Sequence, residues 1–155
     1  MTTLLASVGP PTAVSAWAWD YKKLAKLNPE RQGFLAGEIA GVPVALTGTL
    51  TDAEQQELNK FEARWIGLKR KHLEDMAKDA VKCDSHLGVV LIASGADQAK
   101  AGPIVHAALQ NLCSTIVVDR DLARGIGQEL DRLFATSARP GPRGPLTGSR
   151  AARIR

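Results

Sequence analysis

Long apolar runs are absent from this 155-residue chain. No stretch approaches the ~20 consecutive apolar residues that a membrane-crossing helix needs, so a role built on helical spans is excluded. Cysteine is scarce: Cys83 and Cys113 are the only two. They cannot form a disulfide framework, and a reducing interior is the expected setting. The opening MTTLLASVGPPTAVSAWAW has no basic residue ahead of its mildly apolar stretch. A secretory signal is therefore not expected, and the expected compartment is the cytoplasm. Also missing are the phosphate-cradling G-x-x-x-x-G-K-[ST], the dinucleotide G-x-G-x-x-G and the nucleophile elbow G-x-S-x-G. Finally, acid is missing from one end: residues 136–155 hold five arginines and no Asp or Glu.

That last absence explains the charge. The chain carries a net +4 and has a pI near 9.3. Residues 1–135 hold fifteen basic side chains against sixteen acidic ones, a net of −1. The basicity belongs to Arg139, Arg143, Arg150, Arg153 and Arg155, in a segment rich in Pro, Gly and Ser that is expected to be a disordered tail. Residues 1–135 are long enough for one domain with a real core.

Within that domain, Thr12 is placed to cap a helix over 13–27, with Trp17, Tyr21 and Leu24 at helical spacing and Asn28-Pro29 as its stop. Residues 33–48 alternate through Val42, Val44 and Leu46 around an Ala40-Gly41 turn, which predicts a β-hairpin. Pro43 in its second arm removes a ladder donor and predicts an edge strand or a bulge. Thr51 and Glu54 form a capping box opening a long helix over 52–82. On its apolar face fall Leu58, Phe61, Trp65, Leu68, His72, Leu73, Met76 and Ala80, while Gly67 inside it marks a bend or a close approach. Strands are expected at 88–93 and 115–119, joined by a helix at 103–112, a spacing that suits a parallel β-α-β crossover. That helix is expected to pack on the sheet through Ile104, Ala108 and Leu112. A last helix over 121–134 puts Leu122, Ile126, Leu130, Leu133 and Phe134 on one side. The expected fold class is α/β: one small domain with a mixed sheet, a hairpin and a parallel β-α-β unit flanked by helices.

Parallel strands at 88–93 and 115–119 would gather Ser94, Gly95, Asp97, Asp119 and Arg120 at one carboxyl edge, where α/β sheets bind ligands. Ser94, Asp97 and Asp119 are the catalytic candidates there, with Mg²⁺ as a conceivable ion for a phosphate substrate. Against this stands the plainer reading, which weighs more: a Gly–Asp turn, and Asp119 or Asp121 as a helix cap. Cys83, His86, His106 and Cys113 lack the tight paired spacing of a structural zinc site, and His106 and Cys113 are read as facing away from the core. No metal or cofactor is expected. His72 reads as a core histidine; of the three tryptophans Trp65 reads as core and Trp19 as the freest.

Opposite the apolar face of the long helix, Lys60, Arg64, Lys71, Lys78 and Lys82 fall within roughly 40° of one another. As one helix, that stripe would run about 33 Å. Its plain reading is a solvated face laced with pairs such as Glu74–Lys78. With the arginine tail it suggests a small accessory protein of bacterial type that binds DNA or RNA non-specifically. The alternatives are a phosphoester- or nucleotide-acting enzyme at the Ser94–Asp97/Asp119 edge, and an adaptor docking an acidic protein. A membrane partner is not expected.

Overall fold

The computed structural model describes residues 3–10, 34–48, 50–85, 87–95 and 98–137, with backbone only for Thr136 and Ser137. The expected helix over 13–27 with Trp17 and Trp19, together with His86, Asp97 and the five arginines after residue 138, lies outside them.

Among the described residues, six strands and four helices follow in the order β1 (Leu4–Ala6), β2 (Val8–Gly9), β3 (Leu35–Ile39), β4 (Val42–Ala45), α1 (Asp52–Arg64), α2 (Arg70–Lys82), β5 (Val89–Ala93), α3 (Ala101–Leu109), β6 (Thr115–Val118) and α4 (Arg120–Ser137). They form an α/β fold with two three-stranded sheets rather than one mixed sheet. β1-β5-β6 is parallel and β2-β3-β4 antiparallel. Only Ser7 separates β1 from β2, so the chain passes directly from one sheet into the other.

The hairpin forms as its sequence predicts. Ala40 and Gly41 both take positive φ (50° and 79°), the conformation of tight turns whose twist matches paired strands. Pro43 pairs with Glu38 in β4, at the edge of its sheet, where a missing donor faces outward. The parallel pairing is also as expected: Val90 to Ala93 lie beside Thr115 to Val118. One face of the parallel sheet (Ala6, Val89, Leu91, Ala93) joins Ile39, Val42 and Val44 of the hairpin, Leu73 and Ala77 of α2, Ile104 of α3 and Leu122 of α4 in the main core. On its other face Leu5, Ile92 and Val117 are exposed. A second cluster, Phe34, Leu35, Ala45, Leu58 and Phe61, seats α1 on the hairpin.

The long helix over 52–82 is in fact two. α1 stops at Arg64 and Trp65 turns extended (ψ 122°). Trp65 stacks on Phe61 with ring centroids 5.8 Å apart, and its ring lies against Gly41, where an added Cβ would come within 2.8 Å of it. Folding the indole onto the hairpin pulls the backbone off the helical path just where Gly67 makes departure cheap. The Lys69 ammonium then donates to the carbonyls of Glu62 and Trp65, closing the end of α1. His72 is exposed, not core: its Nδ1 accepts from the Lys69 amide at 3.1 Å and caps the start of α2.

Three other placements differ from expectation. α3 packs mainly on α4 and on strands of the hairpin sheet, so Ala108 faces solvent and Leu112 is buried from the loop after the helix. His106 is 1 % exposed, on the buried side of α3, and Cys113 is half-buried after it. Phe134 is 63 % exposed: Leu122 anchors α4 in the core, but an 18-residue helix spans about 27 Å, and its last turns extend beyond that anchor.

Candidate functional site

The carboxyl ends of β5 and β6 bring Ser94, Gly95, Asp119 and Arg120 to one edge. Asp119 has two structural bonds there. Its Oδ1 accepts the Leu122 amide at 2.9 Å, capping α4, and its Oδ2 accepts the Gly95 amide at 2.6 Å, tying the loop after β5 to that helix. The Leu122 and Gly95 amides, in that order, hold its carboxyl below the usual carboxylate range. These two bonds take one lone pair on each oxygen and give the carboxylate a structural role. Ser94 contributes its carbonyl, which accepts from Lys100 Nζ at 3.2 Å. Among the described residues no group of three or more His, Cys, Asp or Glu is arranged to hold a metal.

The basic residues fall on two helices. Lys60 pairs with Glu57 at 2.6 Å, and Arg64 donates to the Lys60 carbonyl at 3.3 Å, both on α1. On α2, Lys71 pairs with Asp75 at 3.0 Å and Lys82 with Asp79 at 3.8 Å. Lys78 makes no ion pair among the described residues. The break at 65–69 removes the single 33 Å line that one helix would have drawn. Beside α2 lies a cleft of about 480 Å³, lined by Glu74, Lys78 and Lys82 together with Gln110, Asn111 and Cys113. Burial pushes the Cys113 thiol up to about 11, which keeps it protonated and unreactive.

A second arrangement joins residues far apart in the chain that no local pattern connects. Thr47, in the loop after β4, directs both its amide (3.1 Å) and its hydroxyl (2.6 Å) at Nδ1 of His106. An Nδ1 that accepts from an amide carries no proton, so in the neutral ring the proton is on Nε2. That nitrogen is buried without a hydrogen-bond partner and lies 3.8 Å from Oε1 of Glu129 on α4. Glu129 accepts in turn from Nε and Nη2 of Arg132, at 2.8 and 2.6 Å. The Arg132 bond keeps the Glu129 carboxyl below its ordinary range, while burial lowers the His106 imidazole against the opposing pull of Glu129. Thr47 also lines an open cleft of about 390 Å³ with Gln55, Asn59, Glu62, Arg70 and Gln110. One signal was available in the sequence: His106 sits within AGPIVHAAL, an apolar run in which a lone polar residue needs a partner. Naming that partner required the fold.

Compared with known protein families, curated proteins and solved structures, the chain matches no family model, no curated protein and no solved structure.

Proposed function

We propose that this protein binds DNA or RNA non-specifically, as a small accessory protein. The segregation of charge carries the reading: a body of net −1 is joined to a segment bearing +5 with no acid. Arginines in such a segment replace counterions along a phosphate backbone without reading sequence. Lys78 and Lys82 add a surface on the folded body, since both line one cleft with Asn111, where two ammonium groups face the single carboxylate of Glu74. The ion pairs of Lys60 and Lys71 do not oppose this, because exposed pairs within a helix contribute only about 0.3–0.5 kcal/mol and a phosphate can replace the carboxylate.

The test is fluorescence anisotropy on labelled duplex and single-stranded oligonucleotides over a salt series, with the full chain and with residues 136–155 deleted. On duplex DNA, the slope of log K against log salt is expected to flatten on deletion by about 0.9 for each phosphate that the arginines no longer neutralise. Lys78→Glu with Lys82→Glu is expected to weaken what binding remains. An absence of binding by the full chain at low salt sinks the reading.

A further inference from the structure

The Thr47–His106–Glu129 arrangement has the parts of a nucleophilic site, and it stands independently of the nucleic-acid reading. The Thr47 hydroxyl is 2.6 Å from an unprotonated ring nitrogen, within reach for direct proton transfer. The far side of that ring is aimed at a carboxylate 3.8 Å away that Arg132 keeps in place. The second nitrogen of the ring is a buried N–H, a group that costs free energy when left without an acceptor. Here it is unpaired, and its interaction with Glu129 strengthens only when the ring gains a proton. The residue after the hydroxyl completes the set. Gly48 sits at φ +93° in open space, and its N–H donates to no group among the described residues. A free amide following the nucleophile is where an oxyanion is held in acyl transfer.

We propose that Thr47 is a nucleophile for hydrolysis of short polar acyl esters, with His106 as its general base and Glu129 as a positioning residue. The Thr47 oxygen bonds to the ester carbonyl carbon while its proton passes to His106 Nδ1, and the carbonyl oxygen becomes an oxyanion at the Gly48 amide. The C–O bond to the alcohol then breaks, and the alcohol leaves with the proton from His106. Water repeats the sequence on the acyl-threonine, releasing the acid and restoring the hydroxyl. The Thr47 amide also points at Nδ1, so the imidazolium faces an N–H dipole and passes its proton on. The same cleft is lined by Gln55, Asn59, Glu62, Arg70 and Gln110, a polar wall that suits a short polar acyl group.

The probe is p-nitrophenyl acetate on the full chain, acid-quenched, with the acetyl group located by peptide mass spectrometry. Acetyl-Thr47 is expected in the wild type and in Thr47→Ser, and none at that position in the near-isosteric Thr47→Val. The rate of acetylation should rise with pH as one group below about 6.5 loses its proton. Glu129→Gln should move that midpoint to lower pH, because Glu129 favours the charged ring, whereas a merely structural role would leave the midpoint in place. Folded wild-type protein acetylated only on lysines, with Thr47 unmodified, overturns the proposal. So does a Thr47→Val variant, folded by circular dichroism, that releases nitrophenolate as fast as the wild type.

Discussion

At His106, burial disfavours the charged ring and outweighs the opposing pull of Glu129, with Arg132 adding to the lowering. The folded-state pKa is therefore below the ordinary value of about 6.5. Above that pH folded and unfolded chains both hold the neutral ring, and the full stability is present. Below it the unfolded chain takes up the proton first, so stability falls as pH drops towards the folded pKa, by at most about 1.4 kcal/mol per pH unit. Urea midpoints at pH 7.5 and 5.5 are expected to show this loss in the wild type and to show less of it in His106→Gln. Equal losses in the two proteins would assign the effect elsewhere. Ala40 offers a test of the opposite sign. It holds φ +50°, a region costing a residue with a Cβ about 1–2 kcal/mol. Ala40→Asn, which produces the Asn-Gly pair such turns favour, should raise stability by about 0.5–1 kcal/mol in a denaturant titration. The turn was legible from Ala40-Gly41 between alternating residues. The burial of His106 was not, because whether one position of an apolar helix faces the core depends on elements distant in the chain.

Among the elements, the division of one expected helix into α1 and α2 shows where local pattern stops deciding. The 3.6-residue periodicity runs through 65–69 without interruption, and Gly67 was the one mark of a bend. Lys69 supports the division from both sides: its ammonium closes α1, and its amide is accepted by His72 at the head of α2. Lys69→Met keeps the stem and removes the charge, and should lower stability by about 1 kcal/mol without loss of helix content by circular dichroism. Asp119 joins two other elements, β5 through Gly95 and α4 through Leu122. Asp119→Ala should lower the melting temperature, and the wild type should lose the same contribution as pH falls through the depressed carboxyl pKa, since the charged form makes both bonds.

For the whole molecule, the charge division lets stability and the proposed nucleic-acid binding be tested apart. Deleting residues 136–155 removes five arginines and no acidic residue, and trims the last two residues of α4. The melting temperature should stay within about 2 °C of the full chain, because surface changes of this kind stay within about 0.5 kcal/mol. The salt slope of binding should change in the same protein. A truncation that lowered the melting temperature strongly would show that the segment packs on the body.

The sequence by itself determined the local pieces: the hairpin around Ala40-Gly41, the capping box at Thr51 and Glu54, and the parallel pair implied by the spacing between 88–93 and 115–119. Each depends on residues within a few positions of one another or on the reach of one connection. Tertiary structure alone decided that Trp65 leaves its helix to lie on Gly41, and that α3 packs its buried side on the hairpin sheet and α4. It also decided that Thr47, His106 and Glu129 meet. The reason is physical: periodicity defines an apolar face, whereas the partner that covers it is chosen by competition among all the apolar faces of the chain.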